Sequence, residues 1–296
     1  MTQELKTFVE QNPKLVTMKP CGGYHGLFIL KYTRKVFYDG LWNDHLEECR
    51  GTIVDADFNV VSRPFTKIYN YGVEEKSPVV SLETRVAAFR KVNGFMVAIT
   101  WYLGDILIST TGSTDSPFVG YVKELIADNI DQYRVVCKKY SSYTFMFECV
   151  HRDDPHIIPE KEGMYLLGHR ANTWNSVVSS DPTSLDMFAD QFGAHRVESF
   201  NMRVDDLIKL SKTVLHEGFV FYTPQGVSAK IKSPFYLTAK WMARNPRTDK
   251  LLTKEFKEQI DEEYYGLLTY IRENIDSFTL LTEQARLQFI RDYLSK

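Results

Sequence analysis

Short β-type segments separated by turn residues run from about residue 27 to residue 240. They read LFILKYT, RGTIVDADFNVVSRP, GFMVAITWYLGDILIST, YTFMFECV, MYLLGHR and GFVFYTPQGVSAKIKS. Gly104-Asp105 and Pro224-Gln225-Gly226 stand where hairpin turns are expected. Helical patterns interrupt the β segments at 118–130 and within 184–212. Because helices interrupt a series of hairpin-like strands, the sequence predicts an α+β fold with antiparallel sheets.

The pattern becomes helical after about residue 240. Apolar residues there recur every three or four positions, as on one helix face: Phe256, Ile260, Tyr264, Leu267, Ile271 and Ile275. Leu287, Ile290 and Leu294 repeat the spacing in a final helix, and a short helix is expected over residues 3–10. The sequence therefore predicts a domain over 1–240 and a small all-helical domain over 241–296.

Bulk composition narrows the class of protein. The 296 residues include no apolar run of the ~18 to 20 residues that a membrane span needs. Charged residues in MTQELKTFVEQNPK argue against a secretory signal, so we expect a cytoplasmic protein without a membrane partner. The four cysteines contain no CxxC pair, which predicts buried, reduced thiols rather than a zinc site. No GxxxxGK[ST] or GxGxxG phosphate loop is present. We expect a monomer.

The segment Lys91-Val92-Asn93-Gly94 is a first candidate for chemistry. It places Lys91 at a strand-to-turn junction, and Gly94 would let the backbone approach a ligand closely. The competing interpretation is a surface lysine before a turn.

Two upstream segments, ECRG and SRPFTKIYN, add cations and an aromatic ring. Arg50 and Lys67 could hold a phosphate chain while Tyr69 contacts a nucleobase. An exposed hairpin with ordinary surface charges is the competing interpretation.

Two carboxylates and a lysine pair follow. Glu148 ends an apolar strand, where burial is costly without a partner, and Glu217 directly precedes a β segment. Lys230 and Lys232 share one face of a strand, which is unfavourable unless an anion lies between them. The alternatives are a strand end that reaches water at Glu148 and an edge strand protected by its lysines.

The order of these residues resembles the covalent nucleotidyltransferase family of ATP-dependent ligases and mRNA capping enzymes. A KxxG lysine precedes two carboxylates and a KIK lysine pair. Within that family, the segments ECRG, SRPFTKIYN, LLGHRAN and HEGFVFYTPQGVSAKIKS resemble bacteriophage RNA ligases typified by T4 RNA ligase 1. The resemblance covers roughly residues 25–240 and implies an antiparallel-sheet, ATP-grasp-like nucleotidyltransferase domain.

The resemblance also implies catalytic roles. Lys91 would be the nucleophile that carries AMP, and Glu217 would place the metal ion or orient that lysine. Lys230 and Lys232 would neutralise the α-phosphate and the leaving pyrophosphate. Free lysine has a pKa near 10.4, so attack on ATP requires nearby positive charge to favour the neutral amine. Lowering the pKa of the lysine by ~3 units requires that its surroundings favour the neutral amine over the ammonium form by about 4 kcal/mol.

The remaining roles concern nucleotide binding. Arg50 and Lys67 would contact the triphosphate or sugar of ATP, with Tyr69 beside them. Glu148 would hold the ribose, and Gly94 would lie in the nucleotide pocket. Since the candidate ligands are oxygen atoms of the protein and of phosphates, Mg²⁺ is the implied metal, with Mn²⁺ as a substitute.

Two positions depart from the family pattern. Asn93, also expected in the nucleotide pocket, stands where the common ligase motif has an aspartate, so it keeps a hydrogen bond and loses a charge. In ISTTGST, at 108–114, Thr111 stands where the phage ligase has a lysine. No basic role is therefore carried over to Thr111.

The C-terminal part separates the branches of the family. DNA ligases and capping enzymes usually carry a further β-barrel of roughly 70 to 100 residues. Only 64 helix-like residues follow Lys232. An RxDK match at 247–250 lies so soon after Lys232 that the barrel has no room between them. The leading hypothesis is an ATP-dependent RNA ligase acting on 5′-phosphate and 3′-hydroxyl RNA ends. A DNA ligase, a capping-type guanylyltransferase and a non-catalytic RNA-binding protein remain alternatives.

The charge distribution is compatible with an RNA partner. The chain has 36 basic and 38 acidic residues, for a net charge of -2, which excludes a uniformly basic coating protein. Between Lys230 and Lys257, however, eight basic residues stand against two acidic ones. The uneven distribution predicts modest, salt-sensitive binding of a polynucleotide along this stretch.

Overall fold

The computed structural model describes residues 2–73, 75–244, 249–253, 255–260 and 262–294. The chain divides into two compact units. The first unit contains Met1–Ile68 and Val92–Glu198, and the second contains Tyr69–Lys91 and Ser199–Lys296. The predicted domain boundary at residue 240 falls inside the second unit and stays a prediction. None of the helices in the described ranges has the length and apolar character to cross a membrane.

The predicted β segments are present as strands, and the structure adds strands and helices that the sequence did not predict. The strands are β1 (Val16–Pro20), β2 (Leu27–Tyr32), β3 (Arg50–Asp55), β4 (Val60–Ser62), β5 (Tyr69–Asn70), β6 (Arg85–Arg90), β7 (Phe95–Tyr102), β8 (Asp105–Thr110), β9 (Tyr143–Val150), β10 (Gly163–Ala171), β11 (His195–Arg196), β12 (Ser199–Arg203), β13 (Gly218–Tyr222) and β14 (Ser228–Lys232). The α-helices are α1 (Thr2–Gln11), α2 (Arg34–Tyr38), α3 (Asp44–Glu48), α4 (Pro117–Leu125), α5 (Ile130–Lys139), α6 (Pro182–Phe192), α7 (Val204–Ser211), α8 (Pro234–Arg244), α9 (Tyr265–Glu273), α10 (Ile275–Leu280) and α11 (Glu283–Leu294). Short 3₁₀ turns cover Ala127–Asn129, Asp249–Leu252, Glu255–Gln259 and Glu262–Tyr264.

The first unit contains two sheets, with strand orders β1-β2-β3-β4 and β11-β10-β9-β7-β8. Their neighbouring strands are antiparallel except for β10 and β11. Ile29 of β2 and Ile53 of β3 pack against Leu107 of β8 in one buried cluster. Because alternate residues of a strand share a face, this contact decides which side chains of β2 and β3 point toward β8.

Local sequence explains several elements of the first unit. The β7–β8 turn centres on Leu103 and Gly104, both with positive φ, one residue earlier than predicted. Helix α6 begins where the Asp181 side chain accepts a hydrogen bond from the Ser184 amide, and it ends at left-handed Gly193. The predicted helix at 118–130 ends as α4 at Leu125, and α5 is a further helix that was not predicted.

The second unit is a sheet with strand order β12-β6-β13-β14-β5. Its pairs are antiparallel except β14 with β5. Val86 and Ala88 of β6 pack with Phe219 and Phe221 of β13 and with Leu207 of α7. The alternating buried residues of β6 and β13 therefore hold these two strands in a fixed register.

The C-terminal part of the second unit has its own apolar cluster. The buried members beyond residue 240 include Trp241, Phe256, Ile260, Tyr264, Leu267, Ile271 and Ile290. The prediction that one helix runs from Phe256 to Ile275 is wrong, because 3₁₀ turns and two short helices cover this range. Residues three apart also share a side of a 3₁₀ turn, so the spacing indicated the buried face and not helix continuity.

The structure also changes the interpretation of the basic stretch. Lys240 is buried, and its ammonium lies 5.7 Å from the ring centroids of Tyr236 and of Tyr264. It therefore contributes to packing rather than to an exposed phosphate-binding surface. Arg247 and Thr248 of the RxDK match, together with Lys254, lie outside the described residues.

Candidate active site

In the second unit, Lys91 and Glu217 meet at adjacent ends of two paired strands. Lys91 directly follows β6 and Glu217 directly precedes β13, and these strands are antiparallel neighbours. The Lys91 Nζ atom lies 3.0 Å from Glu217 Oε2, and the Lys91 amide donates to the Gly218 carbonyl at 2.8 Å. The Glu217 side chain is 4% exposed and that of Lys91 is 24% exposed. The amine therefore remains accessible beside a buried carboxylate.

The lysine pair of β14 lies next to this ion pair. Lys232 is the register partner of Gly218, and Lys230 is the register partner of Val220. Both lysines are half-buried. The edge-strand interpretation is wrong at Lys230, because β14 pairs there with β13 on one side and with β5 on the other. The Lys232 ammonium lies 5.5 Å from the centroid of the Tyr236 ring.

Tyr69 joins the same sheet through the two-residue strand β5. It is buried and is paired with Ala229, one residue before Lys230. The structure thus places five predicted site residues in or directly beside the sheet of the second unit: Lys91, Glu217, Lys230, Lys232 and Tyr69.

In the first unit, Gly94 and Glu148 form a second cluster. The Gly94 amide donates to Glu148 Oε1 at 3.1 Å, and Glu148 is 8% exposed. The interpretation of Glu148 as a strand end in water is therefore wrong. A Cβ atom added to Gly94 would lie 2.2 Å from the Cys149 carbonyl oxygen, so only glycine fits. Asn93 is also buried, and its Oδ1 accepts from the Ile158 amide at 3.0 Å.

Lys67 lies among aromatic rings that the sequence analysis did not associate with it. Its ammonium is 4.4 Å from the Trp42 ring centroid and 5.5 Å from that of Phe37. Rings at these distances attract a cation through their negative faces. Arg50, at the start of β3, is half-buried. No sequence motif links Trp42 or Phe37 to Lys67, which lies 25 and 30 residues further along the chain, so only the fold could identify them.

A buried ion pair connects the two upstream motifs. Arg63 Nε donates to Glu48 Oε2 at 2.9 Å, and the two residues are 3% and 8% exposed. Arg63 Nη1 also donates to the Ser176 carbonyl at 3.0 Å. The competing interpretation, an exposed hairpin, is wrong at Arg63. In the sequence, the available indication of a role for Glu48 was its position in the ECRG motif, two residues before Arg50.

The residues fit a divalent metal only in part. The described ranges contain no group of three or more His, Cys, Asp or Glu side chains that could hold a metal ion. The Glu217 carboxylate is the oxygen ligand that Mg²⁺ prefers, and Mg²⁺ usually binds through one or two carboxylates together with substrate phosphates. Glu217 therefore fits as a protein ligand that a bound nucleotide would complement.

All four cysteines are free and buried, as predicted. Burial raises the pKa of the Cys49, Cys137 and Cys149 thiols to about 12, and that of Cys21 to about 11. These thiols stay protonated at neutral pH, which is typical of structural cysteines rather than of nucleophiles.

Sequence comparison finds similarity to phage RNA ligases. No protein-family model matches the chain. An RNA ligase of Rhodothermus phage RM378 is 28% identical over 190 residues, covering 51% of this chain and 42% of that protein. RNA ligase 1 of bacteriophage TS2126 is 27% identical over 139 residues, covering 42% and 34%. The chain thus spans less than half the length of the curated relatives it matches.

Comparison of structures extends over almost the whole chain. Two forms of an archaeal ATP-dependent RNA ligase each align with a TM-score of 0.61 at 16% identity, covering 99% of this chain and 74% or 76% of theirs. A candidate ATP-dependent DNA ligase from Aquifex aeolicus aligns with a TM-score of 0.60 at 15% identity, covering 99% and 77%. These alignments confirm the α+β, antiparallel-sheet fold of ATP-dependent ligases, with helices at its C-terminal end.

Proposed function

We propose that the chain is an ATP-dependent RNA ligase that seals 5′-phosphate and 3′-hydroxyl RNA ends through a covalent lysyl-AMP intermediate on Lys91. The observation that carries the proposal is the Lys91–Glu217 pair with the β14 lysines beside it. A lysine that remains accessible next to a buried carboxylate and two further cations suits attack on a phosphoryl group. The similarity to phage RNA ligases favours RNA as the polynucleotide.

The chemistry follows from these side chains. The neutral amine of Lys91 attacks the α-phosphorus of ATP, so that an N–P bond forms and the P–O bond to pyrophosphate breaks. Lys230 and Lys232 stabilise the negative charge that develops on the phosphoryl oxygens. In the second step AMP passes to the 5′-phosphate of RNA. In the third, the 3′-hydroxyl attacks that end and AMP leaves.

Glu217 and the nucleotide control the position of the amine. The carboxylate holds the Lys91 Nζ atom at 3.0 Å. Glu217 and the phosphates of ATP would hold Mg²⁺, which would supply positive charge there. With the carboxylate engaged by the metal ion, the Lys91 amine would be released to reach the α-phosphorus.

The nucleotide-binding roles belong to the same proposal. Glu148 accepts hydrogen bonds from the ribose hydroxyls. Arg50 and Lys67 contact the phosphates or the sugar of ATP. Tyr69, Asn93 and Gly94 are the further proposed contacts of the nucleotide. The proposal further includes a monomeric state and a cytoplasmic location.

The test is formation of a protein–AMP adduct. With radiolabelled ATP and Mg²⁺ we expect an acid-stable adduct in the unaltered chain and none in Lys91→Ala. Lys209→Ala, an exposed lysine of α7 paired with Asp206, is the matched control and should label normally. An adduct that persists in Lys91→Ala would refute the assignment of the nucleophile.

The nucleotide and the polynucleotide then separate the alternatives. Labelling by GTP instead of ATP would indicate a capping-type guanylyltransferase. Joining of 5′-phosphorylated DNA but not of RNA would indicate a DNA ligase, for which the Aquifex aeolicus similarity is the relevant observation. Absence of any adduct with either nucleotide would favour a non-catalytic RNA-binding protein.

A further inference from the structure

A pair of cations lies on neighbouring strands of the four-stranded sheet, within the first unit. Lys31 of β2 is the register partner of Arg50 of β3. Alternation places Lys31 on the face of β2 that includes Ile29, and this face packs against β8 through Leu107. Lys31 is exposed and Arg50 is half-buried, so both lie at the rim of this packed face.

A bulge aligns the two cations. The register passes from Leu30 with Thr52 directly to Lys31 with Arg50, which leaves Gly51 unpaired. Gly51 has a φ of +98°, and a Cβ atom there would lie 2.9 Å from the Thr111 Cα atom. The turn that follows β8 therefore lies directly against the bulge.

The Lys31 side chain reaches this same turn. A Cβ atom added to Gly112 would lie 2.8 Å from Lys31 Nζ, so the ammonium lies against the backbone of the turn. Within the described ranges, the side chains of Lys31 and Arg50 make no hydrogen bond or ion pair. Like charges at opposite positions of paired strands are unfavourable. Their placement side by side at an accessible rim is explained if an anion binds between them.

We infer that Lys31 is a further phosphate-binding cation, which contacts the triphosphate of ATP together with Arg50. This inference rests on the proposed function, because Arg50 is the proposed triphosphate contact. Side chains at opposite positions of paired strands lie roughly 5 Å apart at their Cβ atoms, close enough for one polyphosphate to contact both. Lys31 places its charge beside the turn that contains Thr111 and Gly112.

The test separates the step that uses triphosphate from a step that does not. In Lys31→Ala we expect the ATP concentration for half-maximal adduct formation to increase about tenfold. Joining of chemically pre-adenylylated RNA, which already carries AMP, should change less than twofold. Lys138→Ala, which removes an exposed charge from α5, is the matched control and should change neither value.

A rescue variant tests the position of the charge. Adding Thr111→Lys to Lys31→Ala returns a cation to the same turn, and it should recover a large part of the lost ATP affinity. If the double variant kept its thermal midpoint but recovered no ATP affinity, the result would contradict a phosphate-binding role for positive charge at this turn. An unchanged ATP dependence in Lys31→Ala would overturn the inference. An equal loss with pre-adenylylated RNA would indicate an RNA phosphate contact and would also overturn it.

Binding of inorganic pyrophosphate distinguishes failure of this inference from failure of the proposed function. Calorimetry should detect pyrophosphate binding by the unaltered chain and about tenfold weaker binding by Lys31→Ala. If no nucleotide labels the unaltered chain, the proposed function fails, and weaker pyrophosphate binding by the variant still supports an anion site at Lys31. Equal pyrophosphate binding by the unaltered protein and by Lys31→Ala would overturn the proposed anion site at Lys31.

Discussion

Lys91 Nζ lies 3.0 Å from Glu217 Oε2, although 126 residues separate the two along the chain. The carboxylate holds the amine in place through charge attraction and a hydrogen bond. In the mechanism proposed above, this ion pair is the resting arrangement, and Lys91 leaves Glu217 before it attacks ATP.

The first prediction concerns Glu217→Gln. This change keeps the shape of the side chain and removes the charge that would bind Mg²⁺. We expect the single-turnover rate of adduct formation to fall by a factor of about 100 or more, the size of effect that one preorganised electrostatic group can have. The Mg²⁺ concentration for half-maximal rate should also increase. Rapid-quench measurement over a series of Mg²⁺ concentrations checks both values.

The matched control for Glu217→Gln is Glu273→Gln, an exposed carboxylate in α9. It should leave the rate and the Mg²⁺ dependence unchanged. If Glu217→Gln lowered only the thermal midpoint and left the Mg²⁺ dependence unchanged, Glu217 would be a structural residue and not a metal ligand.

The second prediction concerns Gly94→Ala. The new methyl group would collide with the Cys149 carbonyl oxygen, which is a backbone atom of β9 and can move little. We expect the free energy of unfolding to fall by about 1–3 kcal/mol and ATP binding to weaken, because the Gly94–Glu148 hydrogen bond is displaced. Denaturant unfolding and ATP titration measure the two effects.

Gly120→Ala is the control for that variant. Gly120 lies on an exposed side of α4, and its added Cβ would meet no atom within 4 Å. Alanine favours helix over glycine by roughly 0.5–1 kcal/mol, so this variant should be slightly more stable. Equal behaviour of the two variants would contradict the close approach at Gly94.

The third prediction concerns the buried pair of Glu48 and Arg63. Arg63→Ala leaves the Glu48 carboxylate buried without its partner, and we expect a loss of about 3–5 kcal/mol in the free energy of unfolding. Replacing both residues by methionine should recover much of that loss, since no buried charge remains. Arg134→Ala, which breaks an exposed pair with Asp105, should have little effect. A double variant less stable than Arg63→Ala would refute this account.

The fourth prediction concerns the thiols. With pKa values of about 12, Cys49, Cys137 and Cys149 should react with an alkylating reagent at pH 8 only after unfolding, and Cys21, at about 11, should react first. Between about pH 9 and pH 12 the unfolded chain loses thiol protons that the folded chain keeps, so these groups make stability fall as pH rises. Mass spectrometry after timed alkylation checks the order, and rapid native labelling of Cys137 would contradict it.

The fold could be predicted wherever local patterns carry the information. The alternation in YTFMFECV and GFVFYTPQGVSAKIKS corresponds to β9 and to the β13–β14 hairpin. The spacing from Phe256 to Ile271 identified a buried face and wrongly implied a continuous helix. Lys240 was interpreted as surface charge because the sequence alone does not show that Tyr236 and Tyr264 enclose its ammonium.

The sequence by itself determined the order of the chemistry-bearing residues, the strands that carry them and the expected ligase fold. Strand alternation, turn residues and short motifs are local, so they can be read within a few residues. Only the tertiary structure decided that Lys91 contacts Glu217, that Glu48 is buried against Arg63, and that Lys31 reaches Gly112. Such contacts join segments far apart in the chain, and they depend on strand register and on packing between sheets, which no short segment specifies.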